Sequence, residues 1–138
     1  MRALLDTNIV LDLLMKREPF AHDATAIWEA NRQGWFDGYV SAIAPITLFY
    51  VARKSTSVVD AQQMVRDILK AFRVCTLNLN VLRAALRRPL ADYEDAVQLA
   101  GALAHGLDAI VTRDLQDFGG ATLTVLSPSD FLKQLATQ

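Results

Sequence analysis

The chain has 138 residues, of which 52% are hydrophobic and 21% charged, so it is long enough and apolar enough to fold around a hydrophobic core. Its 14 basic and 15 acidic residues give a net charge of −1, which excludes a protein that attracts nucleic acid with its whole surface. The single cysteine, Cys75, excludes a disulfide framework or a cysteine-based zinc site within one chain, and its apolar neighbours predict an inert buried thiol.

The N-terminal segment does not have the layout of a secretory signal, because Asp6 and Asp12 interrupt its apolar run. No apolar stretch approaches the roughly 20 residues that a helix needs to cross a bilayer. We therefore expect a cytoplasmic protein that does not enter the membrane.

The first half of the chain alternates short apolar runs with helical patterns. The run "ALLD" predicts a strand, and Thr7 and Asn8 are expected to cap a helix over "IVLDLLMK" that ends near Pro19. "HDATAIWEANRQG" predicts a second helix that closes at Gly34, and "FDGYVSA" predicts a second strand. Pro45 suits the first turn of the next helix, "PITLFYVARKS".

The second half repeats this alternation. Ser57 opens the helix "VVDAQQMVRDILKAF", "RVCTL" predicts a strand, and Asn80 is expected to cap "VLRAALRR", which Pro89 ends. Asp92 opens "YEDAVQLAGALAH", the strands "LDAIVT" and "ATLTVL" flank a short turn "LQDF", and Ser127 opens the last helix. Strands that alternate with helices predict an α/β fold in three layers, with a mostly parallel central sheet, in one domain over residues 1–138.

Three acids stand where predicted strands end or the next helices begin. Asp6 closes the first strand, Asp114 follows "AIVTR", and Asp95 lies in the first turn of a long helix. Sites in open α/β sheets gather beyond the carboxyl ends of the strands, so these carboxylates are expected to cluster at one edge. Clustered carboxylates raise each other's pKa unless a cation compensates them. The pattern therefore predicts a Mg²⁺ site, which suits phosphodiester hydrolysis.

Helix capping is the alternative explanation for most of these acids. Asp92 has the position of an N-cap with Asp95 three residues later, and Asp114 with Asp117 repeats the spacing. Asp6 fits capping less well, because Thr7 and Asn8 are available for that role.

Four segments in order resemble a PIN domain of the bacterial VapC-like group: "LLDTNIVLDLL", "SAIAPITLFYVARK", "DYEDAVQLAGAL" and "DAIVTRDLQDF". The resemblance implies a parallel sheet between helices and a Mg²⁺- or Mn²⁺-dependent ribonuclease. It implies that Asp6, Asp95 and Asp114 are the first, third and fourth acids of the metal site, with Asn8 as a supporting polar residue. It also implies an RNA substrate, a small antitoxin as partner, and a homodimer.

One position departs from the family pattern. PIN nucleases commonly carry a glutamate on the helix "PITLFYVARK", and the aligned residue here is Thr47. A threonine supplies a hydroxyl but no charge, so metal affinity is expected to fall. Asp92, Glu94 or Asp117 is a candidate to replace the missing charge. A weakly active or inactive PIN fold that serves as a binding module is the second functional hypothesis.

Several other residues have two possible roles. Arg53 and Lys54 either complement the C-terminal dipole of their helix or contact RNA phosphates, and Arg113 is a third candidate for a phosphate contact. Asp12 either faces the site or is solvated, and solvation is favoured. His105 is expected to be structural. The aromatic residues belong either to the core or to a dimer surface: Trp28, Trp35, Phe36 and Tyr39.

A third functional hypothesis is a phosphatase of the haloacid-dehalogenase type, which also begins with an aspartate after the first strand. That chemistry needs a second aspartate two positions later, and this chain has Asn8 there.

Overall fold

A sheet of parallel strands organises the structure, a computed structural model that describes residues 1–88 and 90–138. In this part of the chain five strands pair in the order β3-β2-β1-β4-β5. The strands are β1 (Arg2–Leu5), β2 (Asp37–Ser41), β3 (Arg73–Cys75), β4 (Ala109–Val111) and β5 (Thr124–Leu126). The helices are α1 (Thr7–Leu14), α2 (Ala21–Arg32), α3 (Ile43–Ser55), α4 (Val58–Ala71), α5 (Leu79–Leu86), α6 (Tyr93–Ala104) and α7 (Pro128–Ala136), and a short 3-10 helix spans Leu115–Phe118.

Helices cover both faces of the sheet, so the predicted three-layer α/β architecture is confirmed. On one face Leu5 and Val40 of the strands pack with α1, α2, α3, α4 and α7 around Ile27 and Leu48. On the other face Leu4 packs with α6, and α5 packs in turn on α6. Because both faces are covered, the central strands β1 and β4 are mostly apolar and buried, whereas Asp37 of β2 and Arg73 of β3 remain exposed. No described helix combines the length and the apolarity needed to cross a membrane.

Successive strands are added first on one side of β1 and then on the other. β2 and β3 lie on one side of β1, whereas β4 and β5 lie on the other. The loops that leave the carboxyl ends of β1 and β4 therefore diverge, which opens a crevice at the edge where ligands bind in open α/β sheets. Asp6 and Asp114 belong to these two loops.

Two predicted helix starts are wrong. α1 begins at Thr7, so Asp6 takes the N-cap position without a capping bond from its side chain, and neither Thr7 nor Asn8 precedes the helix. α5 is capped by Asn78, whose Oδ1 accepts from the Val81 N–H at 2.9 Å, and not by Asn80. In both places the apolar run after a polar residue predicts the helix start, whereas in the structure Thr7, Asn8 and Asn80 already belong to the first turn. The expected stop at Pro89 lies outside the described residues.

The aromatic residues divide between core and surface. Phe36 and Tyr39 are buried, and Trp28 packs edge-on against Phe72 with ring centroids 5.5 Å apart. Trp35 is 54% exposed. Cys75 is buried as expected, and burial raises the pKa of its thiol to about 11.

Candidate active site

Asp6 is a buried carboxylate at the carboxyl end of β1. Only 4% of its surface is exposed, and its backbone N–H donates to the carbonyl of Val111 in β4 at 2.9 Å. Because its side chain does not cap α1, both carboxylate oxygens are available to partners from elsewhere in the chain. Burial raises the pKa of Asp6, although the hydrogen bonds from Gln98 and Thr112 and the nearby backbone N–H of Asn8 oppose this effect.

Gln98 joins Asp6 to Asp95. The Gln98 amide, 1% exposed on α6, donates from Nε2 to Oδ1 of Asp6 at 3.1 Å and to Oδ1 of Asp95 at 3.5 Å. Its Oε1 accepts from the backbone N–H of Thr7 at 3.2 Å and from the Thr7 hydroxyl at 3.4 Å. One buried amide therefore fixes the first turn of α1 and the first turn of α6 relative to each other.

Thr112 joins Asp6 to the segment that carries Asp114. Its hydroxyl is fully buried and donates to Oδ2 of Asp6 at 2.8 Å, while the same oxygen accepts from the backbone N–H of Asp114 at 3.0 Å. These two hydrogen bonds connect the end of β1 with the segment that follows β4.

Sequence reasoning missed Gln98 and Thr112 as site residues. A signal existed for each of them. Gln98 lies three residues after Asp95 on a helix and therefore shares its face. Thr112 is a polar residue directly after the buried strand β4.

Asp95 carries the largest resolved change in acidity at the site. Burial, followed by the negative charges of Asp92, Asp6, Asp117 and Glu94, raises the pKa of its carboxyl to about 7. It is half-buried at the third position of α6, and its backbone N–H donates to Oδ1 of Asp92 at 3.1 Å. Asp92 is therefore the N-cap of α6, as its spacing predicted.

The remaining acids surround this pair. Asp114 lies half-buried, and its charge acts on Asp6. Asp117 is exposed on the 3-10 helix, and its charge acts on Asp95. Burial and the charge of Asp92 raise the pKa of Glu94, whereas the nearby Thr7 side chain lowers it. Glu94 therefore turns toward α1 and adds a carboxylate to the same edge.

These carboxylates fit a hard divalent cation in chemistry and charge, because Mg²⁺ prefers oxygen ligands and would offset the mutual repulsion. The carboxylate side chains are not close enough together to form a set of metal ligands. Within residues 1–88 and 90–138, no three His, Cys, Asp or Glu side chains converge closely enough to hold one metal ion. Every buried side-chain nitrogen or oxygen in that part of the chain also has a partner already. A cation would therefore have to draw the carboxylates together.

Thr47 lies half-buried near the start of α3, which begins two residues after β2 ends. Within the described residues its hydroxyl makes no side-chain hydrogen bond to a neighbour, and α3 has no acid in its first turn. The site charge at this edge is therefore supplied by α6, the β1 end and the segment after β4.

The basic residues occupy two different places. Arg53 and Lys54 lie exposed in the last turn of α3, about 15 Å along the helix from its first residue, where Arg53 stacks 5.0 Å from the Tyr50 ring centroid. Arg113 instead donates from Nε to Oδ2 of Asp12 at 2.8 Å. The expectation that Asp12 is solvated is wrong: it is fully buried, because Arg113 pairs with its charge.

His105 has the structural role that the sequence indicated. Its Nδ1 lies 2.9 Å from the carbonyl oxygen of Gly101, one turn earlier in α6, so the ring closes the end of the helix.

The sequence matches a model of a known protein family. The PIN domain family model matches residues 2–116. No curated protein matches the chain by sequence.

Solved structures resemble the fold over most of the chain. A toxin–antitoxin complex from Klebsiella pneumoniae contains a chain that is 28% identical, with a TM-score of 0.70 over 91% of this chain and 97% of that one. VapBC-1 from nontypeable Haemophilus influenzae is 19% identical, with a TM-score of 0.70 over 94% and 99% of the two chains. The sarcin-ricin loop cleaving toxin VapC20 of Mycobacterium tuberculosis is 14% identical, with a TM-score of 0.67 over 85% and 95%. The family model covers residues 2–116, which is most of the chain, so the chain belongs to the PIN domain family.

Proposed function

We propose that the protein is a Mg²⁺- or Mn²⁺-dependent endoribonuclease and the toxin of a type II toxin–antitoxin pair. The observation that carries this proposal is the buried Asp6, bonded through Gln98 to Asp95 and through Thr112 to the segment of Asp114. Membership of the PIN family and the toxin–antitoxin neighbours support it.

The proposed cation ligands are the carboxylates of Asp6, Asp95 and Asp114. Glu94 is proposed to supply the negative charge that is missing at the position of Thr47. A bound divalent cation would polarise a phosphoryl oxygen and lower the pKa of water at the site. The chain's own contribution is orientation, because Gln98 and Thr112 hold one oxygen each of Asp6. Fixed outer hydrogen bonds of this kind typically set ligand geometry and metal affinity.

The same family context suggests the partners. The Klebsiella pneumoniae neighbour is a toxin–antitoxin complex, so a small antitoxin protein is the proposed partner here. A homodimer and a cytoplasmic location, where RNA is present, complete the proposal.

Cleavage of RNA oligonucleotides tests the activity directly. We expect the wild-type protein to cleave a mixed single-stranded RNA pool in Mn²⁺ or Mg²⁺ and to stop when EDTA removes the cation. Asp6→Asn should reduce the rate by more than about 100-fold, because changing a residue that only hydrogen-bonds to a metal ligand typically costs up to that much. The variant removes a buried charge and keeps the side-chain shape, so the fold should survive.

Asp130→Asn is a matched control, because Asp130 is exposed on α7. Unchanged cleavage by a folded Asp6→Asn protein would contradict the proposed role. Thr47→Glu restores the family's usual acid, and a faster reaction in this variant would identify the missing carboxylate as a limit on the wild type.

A catalytically weak binding module is the second candidate function. Two observations favour it: Thr47 stands at the position of an expected acid, and the described carboxylates are not gathered for a metal. Calorimetric titration with Mn²⁺, with and without RNA, separates the two functions. RNA binding without cation binding at millimolar concentration would support the module, whereas cation binding that Asp6→Asn abolishes would support the nuclease.

A further inference from the structure

An ion pair buried beside the candidate site connects α1 to the residue before Asp114. Asp12 is fully buried, and the Arg113 guanidinium contacts both of its carboxylate oxygens, from Nε at 2.8 Å and from Nη2 at 3.3 Å. A second cation, Arg17, lies 4.0 Å from Oδ1. Two contacts between planar groups fix orientation as well as distance.

One face of the same guanidinium is also covered. The Arg113 carbon that joins the three guanidinium nitrogens lies 4.0 Å from the centroid of the Phe20 ring, in the segment between α1 and α2. Arg113 therefore contacts a buried carboxylate along one edge and an aromatic ring on one face, and only 25% of its side chain is exposed.

Two contacts therefore hold the segment from Thr112 to Asp114 against α1 and the residue that precedes this helix. Thr112 is bonded to Asp6, at the start of α1, and Arg113 is bonded to Asp12, in the second turn of the same helix. Asp114 follows directly and precedes a 3-10 helix of only four residues, which cannot by itself fix the position of that carboxylate.

We propose that Asp12 and Arg113 are positioning residues that hold Asp114 at the candidate site. This assigns Arg113 a role that differs from an RNA phosphate contact, because Asp12 already occupies its charged edge. The part of the inference that concerns catalysis rests on the proposed nuclease function. The part that concerns the order of the Asp114 segment does not, and it can be measured without any cation.

Amide hydrogen exchange tests the positioning in the metal-free protein. Asp12→Asn removes the charge that holds Arg113 without leaving a buried unpaired carboxylate. We expect exchange at residues 114–118 to accelerate by about tenfold or more, as for a segment that opens locally. Asp130→Asn should leave these amides unchanged. Equal protection in Asp12→Asn and the wild type overturns the inference, whether or not the protein cleaves RNA.

Kinetics separate positioning from phosphate binding. Arg113→Lys keeps a cation that can contact phosphate but loses the paired contact with Asp12. If Arg113 positions Asp114, kcat falls by about 10–100-fold, the usual loss for an outer-shell change, and KM for RNA stays constant. If Arg113 binds phosphate, KM rises and depends more on salt while kcat stays constant, and that result contradicts the inference.

A double-variant comparison shows whether the pair acts through Asp114. In the Asp114→Asn background, adding Asp12→Asn should cause no further loss of Mn²⁺ affinity or of rate, because the positioned group is already gone. A second full loss in that background overturns the inference. Wild-type protein that binds no Mn²⁺ and cleaves no RNA would contradict the proposed function, and the exchange experiment would still decide the positioning role.

Discussion

Gln98 is the residue on which the candidate site most depends for its shape. Its amide satisfies Asp6, Asp95 and the Thr7 backbone at once, and almost none of it is exposed. A buried amide with several partners specifies one arrangement, because any other leaves polar groups without hydrogen bonds.

Replacing this amide should destabilise the protein. Gln98→Leu keeps the size of the side chain but leaves the Thr7 N–H and one Asp6 oxygen without their partner. We expect a loss of about 1–3 kcal/mol in the free energy of unfolding, the usual cost of an unsatisfied buried group. Urea unfolding at pH 7 measures it. Gln134→Leu, at an exposed position of α7, should stay within about 0.5 kcal/mol of the wild type, and equal losses in both variants would refute the assignment.

The acidity of Asp95 has a consequence for stability. A carboxyl with a raised pKa holds its proton in the folded protein at pH values where the unfolded chain has released it. Below the ordinary value of 3.8 both states are protonated, so the free energy of unfolding falls as the pH rises from about 4 to about 7. Burial raises the pKa of Asp6 and Glu94 as well, so these carboxyls act in the same direction.

We therefore expect the cation-free protein to be less stable at pH 7 than at pH 5. Asp95→Asn should flatten this dependence, with a gain in melting temperature at pH 7 and little change at pH 4. Glu18→Gln, at an exposed turn position, should leave the slope unchanged. Thermal unfolding in EDTA across this range is the measurement, and a steeper slope in Asp95→Asn would contradict the electrostatic account.

At the scale of elements, capping residues explain where the helices begin. Ser57, Asn78, Asp92 and Ser127 each accept a backbone N–H three residues later. Sequence patterns identified three of these caps, and each of the three has an aspartate three residues later, which Asn78 lacks. The segment "NLN" offers two asparagines, and the pattern alone selected the wrong one.

The two asparagines make a matched test. Asn78→Ala should lower the free energy of unfolding by about 1 kcal/mol, because the Val81 N–H loses its acceptor. Asn80→Ala, inside the first turn of α5, should be neutral or slightly stabilising, because alanine has the higher helix propensity. Urea unfolding of the two variants compares them directly, and the opposite order would place the cap at Asn80.

At the scale of the whole molecule, close approach of distant segments limits which residues fit. Asn31 of α2 accepts from the Gly38 N–H of β2 at 2.9 Å and donates to the Ala71 carbonyl at the end of α4 at 2.9 Å. A Cβ on Gly38 would lie 2.7 Å from Asn31 Oδ1 and 2.7 Å from Phe72 Cδ1. The helical layer can therefore approach β2 this closely only because residue 38 has no side chain.

Gly38→Ala should consequently destabilise the protein by about 1–3 kcal/mol, the usual cost of overpacking. Gly101→Ala is the natural comparison, because its Cβ would meet only Cys75 Cβ at 3.7 Å. Within α6 an alanine should stabilise by about 0.5–1 kcal/mol relative to glycine. Calorimetric melting temperatures that move in opposite directions would confirm this difference, and a stable Gly38→Ala protein would contradict it.

Local sequence patterns predict the alternation of strands and helices, most caps, and the position of Asp6, Asp95 and Asp114 at the ends or starts of elements. These features depend on neighbouring residues, through hydrophobic periodicity and local hydrogen bonds, so they can be predicted without the fold. The metal ligation by these acids, and the single domain over residues 1–138, stay predictions.

Contacts between side chains that are distant in the sequence become visible only in the folded protein. Gln98 reaches Asp6 across 92 positions, Thr112 across 106, and Arg113 reaches Asp12 across 101. Asp12 was expected to be solvated, and the charge that it buries is paired mainly by Arg113, far from it in the sequence. No local pattern records such pairs, because their partners become neighbours only when β1 and β4 pair in the middle of the sheet.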